Sequence, residues 1–286
     1  MKQLTVISGK GGTGKTTLVG AFAVLAENKV IADCDVDAPD LHLLLHPELE
    51  RQQEFKGLKV AVMDKSLCTE CGTCAETCRF NAIVSTEDSG YAVNPARCEG
   101  CGACVYTCPQ EALSLQERVS GYAFVSTTKY GPMVHAQLNT AEEASGKLVT
   151  VVRELAREVA ERDGCDLILI DGAPGIGCPV IASLTGVDLA LIVTEPTLSG
   201  LHDLERILDV ATHFGIGSVV CINKYDLSEK NSDRIAAFCQ QRGVEIVGKI
   251  PYDSLVTAAM VAGLPVTEFS EGAVSKRIRD MWERIQ

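Results

Sequence analysis

The chain has 286 residues, a formal net charge of −12 and 13 cysteines. The length can bury a real core, and 22% charged residues without a like-charge block exclude wholesale disorder. The acidic balance argues against binding nucleic acid, and the odd cysteine count rules out complete disulfide pairing. The amino terminus lacks a signal-peptide apolar region, and no apolar run reaches membrane-spanning length. A reducing, cytoplasmic setting is therefore expected, in which cysteines serve metal or redox chemistry.

In chain order, residues 4–7 read as a buried strand, followed by a glycine loop and a helix over 15–27. A second strand is predicted at 30–32. The next segment carries eight of the cysteines. Cys68, Cys71, Cys74 and Cys78 repeat, thirty positions on, as Cys98, Cys101, Cys104 and Cys108, with Gly72 matching Gly102 and Thr77 matching Thr107. This segment, 58–118, reads as a small domain inserted into a larger one formed by 1–57 and 119–286. Residues 121–139 suggest a hairpin leading back to the larger domain. A long helix is predicted over 146–162. Short apolar strands at 167–170, 189–193, 218–222 and 245–247 then alternate with helices near 201–214 and 231–242. That alternation predicts an α/β fold with a mostly parallel sheet covered by helices on both faces.

Gly9-Lys10-Gly11-Gly12-Thr13-Gly14-Lys15-Thr16-Thr17 fits the phosphate-loop pattern G-x-x-x-x-G-K-[ST] between a strand and a helix. Glycines let backbone N–H groups curl around phosphate oxygens. Lys15 reaches the β- and γ-phosphates and the Thr16 hydroxyl ligates Mg²⁺ in such loops. With its second lysine, Lys10, the loop resembles the deviant Walker A motif of the MinD/ParA/nitrogenase-iron-protein group of P-loop ATPases.

That resemblance implies an ATP-dependent dimer, either a homodimer or a heterodimer with a paralogue, in which Lys10 touches the nucleotide of the other subunit. It also implies that Asp35, in Asp33-Cys34-Asp35, positions the attacking water. Asp171, ending the run 167–171, holds Mg²⁺ through water, with Gly172 and Gly175 sensing the γ-phosphate. Asn223 and Pro251 stand where the group contacts the base. Asn223-Lys224-Tyr225-Asp226 satisfies the guanine-reading N-K-x-D literally, and the family resemblance is what favours ATP.

The two runs C-x₂-C-x₂-C-x₃-C resemble the ligand runs of two-cluster bacterial ferredoxins. The resemblance implies two [4Fe-4S] clusters, one on Cys68, Cys71, Cys74 and Cys108, the other on Cys98, Cys101, Cys104 and Cys78. Zinc is the rival occupant, although it prefers pairs of cysteines separated by longer loops. Cys108 is followed by Pro109 as that motif asks, whereas Cys78 is followed by Arg79.

Cys178, seven residues beyond Asp171, reads either as a thiol that binds metal or reacts at a dimer interface, or as a small buried thiol. Cys34, Cys165, Cys221 and Cys239 read as core residues. The last helix carries Val274, Ile278, Met281, Trp282 and Ile285 on one face, which suits packing on the sheet better than a membrane surface.

Taken together, the resemblance implies an ATPase that couples dimer closure to electron transfer to, or cluster assembly on, a partner metalloprotein. The alternative is a MinD/ParA-like spatial organiser with a redox-sensing module. The acidic net charge suggests that a redox partner presents a basic or neutral face.

Overall fold

Strand β1 (Lys2–Ser8) is apolar at successive positions, and Leu4, Thr5, Val6 and Ile7 are all fully buried. A strand covered on both faces needs no polar alternation, which is why its sequence reads as one continuous run. The computed structural model describes residues 1–86, 90–139 and 145–286. These form two compact units, residues 1–53, 123–137 and 145–286 in the first and, of the described residues, 54–86, 90–122 and 138–139 in the second. Residues 87–89 of the cysteine segment lie outside the described residues.

In the first unit β1 leads through the glycine loop into helix α1 (Lys15–Leu25), then β2 (Lys29–Asp33), the single turn α2 (His42–Leu45) and β3 (Glu48–Phe55). The chain then builds the second unit from β4 (Lys59–Met63), α3 (Thr73–Thr77), β5 (Ile83–Thr86), β6 (Gly90–Val93), α4 (Ala103–Thr107) and β7 (Leu113–Glu117). It returns through the expected hairpin, β8 (Gly121–Thr128) and β9 (Gly131–Leu138), to helix α5 (Ser145–Asp163). Alternation resumes with β10 (Leu167–Pro174), α6 (Cys178–Leu184), β11 (Leu189–Thr194), α7 (Leu198–His213), β12 (Gly217–Asn223), α8 (Glu229–Arg242) and β13 (Glu245–Ile250). Helices α9 (Ser254–Val261), α10 (Val266–Phe269) and α11 (Ala273–Ile285) close the chain.

The nine-stranded sheet has the order β13-β12-β11-β1-β10-β2-β9-β8-β3. β1 sits between β10 and β11, and all three are parallel, as are β2 with β10, β12 with β11 and β13 with β12. Functional loops of a parallel sheet gather at the carboxyl ends of its strands; here Ser8, Asp33, Thr194 and Asn223 end their strands, and Asp171 pairs with Asp33 within β10. Helix α11 inserts Val274, Ile278, Met281, Trp282 and Ile285 into the core beside α1, with the Phe22 and Trp282 rings 5.0 Å apart. Its apolar face is thus spent on the core. Among the described residues, no helix is long and apolar enough to cross a membrane.

The second unit consists of two antiparallel pairs, β4 with β7 and β5 with β6, and the short helices α3 and α4. Its buried cluster is small: Ala61, Cys74, Ile83 and Leu113.

Candidate nucleotide site and cysteine cavities

The glycine loop turns from β1 into α1 through two left-handed residues, Gly12 (φ 75°) and Gly14 (φ 95°). Only glycine adopts this geometry without strain. Gly14 caps α1 with no side chain, and no acidic residue occupies the first turn. The helix therefore presents unpaired N–H groups and the positive end of its dipole to an anion. A methyl group on Gly9 would lie 2.1 Å from Asp203 Cβ, so α7 passes too close for any side chain there. Lys15 and Thr13 are buried in the loop, and the Thr13 hydroxyl is unpaired.

Residues of three further strands complete the site. Asn223 donates from Nδ2 to the Thr13 carbonyl at 2.8 Å, which anchors β12 to the loop. Asp33 and Asp171 are register partners across β2 and β10, and both are almost completely buried. Among the described residues neither Asp171 oxygen nor Asp33 Oδ2 makes a hydrogen bond of ordinary geometry, although the Thr16 hydroxyl lies near enough to Asp171 to favour its charged form, while Asp33 Oδ1 accepts from the Asp35 N–H at 3.0 Å. Burial pushes both carboxyls above their ordinary pKa. The Asp171 charge pushes Asp33 further, whereas Lys15 pulls Asp171 part of the way back. Unpaired buried carboxylate oxygens at the mouth of a phosphate loop suit a divalent cation, whose charge would offset the lost hydration. Asp35 is half-buried and also raised by burial, with Lys15 opposing, whereas Asp37 and Asp40 are exposed.

Lys10 lies on its own subunit's Glu195, with Nζ 3.1 Å from Oε2, while Lys224 holds the other oxygen, Oε1, at 2.6 Å. Sequence reasoning gave no role to Glu195, Lys224 or Asp203. The available signal was position, because Glu195 directly follows β11 at the carboxyl edge of the sheet. Pro251 follows β13, where Tyr252 N–H donates to Asp226 Oδ1 at 2.7 Å and ties the loops after β12 and β13 together.

Gly172 lies inside β10, where a methyl group would strike Ile7 Cγ2 at 2.5 Å. Its small size serves strand packing, whereas Gly175, with φ 96°, does stand in the loop beyond. Cys178 is exposed at the start of α6, so the reading as a small buried thiol fails. Cys34, Cys221 and Cys239 are buried, while Cys165 is only half-buried.

In the second unit the duplication extends to the backbone. Gly72 and Gly102 have φ of 81° and 77°, Asn81 and Glu111 have 50° and 51°, and α3 matches α4. Ala82 N–H donates to Cys78 Sγ and Ala112 N–H to Cys108 Sγ, each at 3.3 Å. Two cavities result. One is lined by Cys68, Cys71, Cys74 and Cys108 and holds about 340 Å³ of atom-free space, part of it open to solvent. The other is lined by Cys78, Cys98, Cys101 and Cys104 and holds about 360 Å³. Among the described residues, no three His, Cys, Asp or Glu side chains converge tightly enough for a single metal ion. Four thiols line each hollow, a donor set that an iron–sulfur cluster or a zinc ion would take.

A family model described as the CobQ/CobB/MinD/ParA nucleotide binding domain matches residues 4–266. An uncharacterised protein of Methanocaldococcus jannaschii is 30% identical over 287 residues, spanning 99% of this chain and 96% of its own. An iron-sulfur cluster carrier protein of Pyrococcus horikoshii is 23% identical over 99% of this chain and 85% of its own. The solved structure of the septum site-determining protein MinD from Pyrococcus horikoshii, complexed with Mg-ADP, superposes with a TM-score of 0.61. It covers 100% of this chain and 96% of that one at 17% identity, so the likeness is one of fold. With its phosphate loop, buried aspartate pair and parallel sheet, the chain belongs to the CobQ/CobB/MinD/ParA nucleotide-binding family.

Proposed function

We propose that this protein is an ATP-hydrolysing iron–sulfur protein that couples nucleotide binding to electron transfer to, or cluster assembly on, a partner metalloprotein. The observation that carries this reading is the sorting of eight cysteines into two four-thiol cavities, in a chain that also has a complete phosphate loop. The second unit is then a ferredoxin-like domain, inserted between β3 and β8. Its clusters would be held by Cys68, Cys71, Cys74 and Cys108, and by Cys98, Cys101, Cys104 and Cys78. Such clusters supply one-electron redox capacity when bound.

The chain's own residues divide the hydrolysis of ATP to ADP and phosphate among them. Backbone N–H groups of Gly11, Gly12, Thr13, Gly14, Lys15, Thr16 and Thr17 cradle the phosphates, and the Lys15 ammonium offsets charge gathering on the γ-phosphoryl oxygens. Thr16 and Asp171 would hold Mg²⁺, which neutralises phosphate charge when bound. Asp35, at the mouth of the site, orients the attacking water. Lys10 has to leave Glu195 before it can reach the nucleotide of a second subunit. Asn223 and Pro251 flank the base, and ATP is favoured because Asp226 already spends one oxygen on Tyr252 N–H.

An anaerobically purified sample tests both halves. The expected result is about eight iron and eight sulfide per chain and a slow Mg²⁺-dependent ATPase, with Lys15→Ala lowering turnover at least about a hundredfold. A Lys15→Ala protein that hydrolyses ATP and supports partner reduction like the parent overturns the coupling.

The whole-chain likeness to MinD supports a second reading, a spatial organiser with a redox-sensing module. ATP-dependent co-sedimentation with liposomes would favour it. The burial of the apolar face of α11 speaks against that particular route to membranes.

A further inference from the structure

The two cysteine cavities share one backbone plan but not one environment. In the first, Cys74 and Gly72 are buried, and Tyr91 closes over the loop, its hydroxyl oxygen 2.9 Å from where a Gly72 Cβ would stand. In the second, the equivalent Cys104 and Gly102 are only half-buried. Charge divides the same way among residues that line a cavity or adjoin a lining residue in sequence. The first has Asp64, Glu70 and Glu111 and no base; the second has Arg79 and Arg97 against Glu99. Hydrogen bonds to sulfur do not separate the two sites: Ala82 donates to Cys78 and Ala61 to Cys98 in the second, while in the first Ala112 donates to Cys108 and the Thr73 hydroxyl lies 3.5 Å from Cys71 Sγ.

These differences are not imposed by the duplicated fold, because the matched positions hold the same backbone conformation. They have one electrostatic consequence. Adding an electron to a cluster held by four thiolates makes an already anionic group more negative. Water access, nearby cations and N–H donors to sulfur all stabilise that extra charge, whereas nearby carboxylates oppose it. Screening limits the effect of exposed charges to about 10 Å, so the immediate neighbours count most.

We infer that the two clusters are inequivalent, with the higher potential at the cavity of Cys78, Cys98, Cys101 and Cys104, tuned by Arg79 and Arg97. The first electron delivered to the protein resides there, and the second goes to the cavity of Cys68, Cys71, Cys74 and Cys108. This inference rests on the proposed reading of the second unit as a two-cluster domain.

The test is an anaerobic dithionite titration of the whole cluster-loaded protein, followed by EPR, with iron counted in each sample. The expected result is two separate one-electron waves. Substituting Arg79→Gln and Arg97→Gln together lowers only the upper wave, and Glu70→Gln with Glu111→Gln raises only the lower one. All four side chains are exposed, so the iron count should stay at the parent value. A single unresolved wave, or charge variants that move both waves alike, overturns the inference while leaving the two-cluster reading intact. A protein that takes up no iron–sulfur cluster at all sinks that reading instead.

Discussion

Glu195 is a single carboxylate serving two cations from distant parts of the chain, Lys10 in the phosphate loop and Lys224 after β12. Its side chain is 15% exposed, against 37% for Lys10 and 31% for Lys224, so solvent screens the pairs only in part. Burial alone would raise the Glu195 pKa, but the hydrogen bonds and charges of the two lysines outweigh it and hold the carboxyl below its ordinary value. A folded-state pKa below the unfolded one contributes stability above the unfolded value, and that contribution is lost as the pH falls through the folded one. Glu195→Gln should therefore cost on the order of 1 kcal/mol at neutral pH, discounted for exposure. The gap between parent and variant should hold above the ordinary glutamate pKa and close as the pH falls through the lowered one. Urea unfolding across that range measures it, and a gap independent of pH would show that the pairs contribute nothing. Position after β11 marks Glu195 in the sequence, but the pairing itself is not legible there, because it joins three loops that are distant along the chain. Lys15 and Thr16 were legible because one contiguous motif contains all of their geometry.

At the scale of elements, legibility follows burial. The strands predicted at 4–7, 30–32, 167–170, 189–193, 218–222 and 245–247 all lie within observed strands; all but the last are apolar runs in the sheet interior, and β13, an edge strand, still buries Val247 and Ile250 in the core. β3 gave no such signal. Its sequence, Glu-Leu-Glu-Arg-Gln-Gln-Glu-Phe, is charged and mostly exposed because it forms the outer edge, where charge blunts unwanted pairing. The last helix is the opposite case. Its stripe marked a buried face from sequence, and Trp282, 7% exposed, packs on Phe22. Trp282→Ala should cost about 3–5 kcal/mol through the cavity it leaves, whereas Arg277→Ala on the exposed side should stay within about 0.5 kcal/mol. Thermal melts of the two variants compare these directly; equal shifts would mean that α11 does not depend on its apolar face.

The whole molecule is two units of very different self-sufficiency. The first has a continuous core running from β1 through α1 to α11. Among the described residues the second has Ala61, Cys74, Ile83 and Leu113 in its buried cluster, with Cys78, Cys98, Cys104, Cys108 and a few apolar side chains half-buried against it. A unit this small lacks the apolar surface to offset chain entropy of about 1–2 kcal/mol per residue, so on the proposed reading metal–thiolate bonds contribute much of its stability. The repeated cysteine spacing made the segment visible in the sequence, yet its dependence on metal emerges only from the size of that cluster. Removing iron with a chelator under anaerobic conditions should therefore unfold the second unit and leave the first folded. The chain contains one tryptophan, Trp282, and it lies in the first unit, so its fluorescence reports that unit alone. Chelation should leave the emission maximum and the melting temperature seen by Trp282 unchanged. Amide hydrogen exchange in β4, β5, β6 and β7 should meanwhile rise to the rate of unfolded chain. Protection of those strands that survives complete iron removal would show that the second unit stands on its own packing.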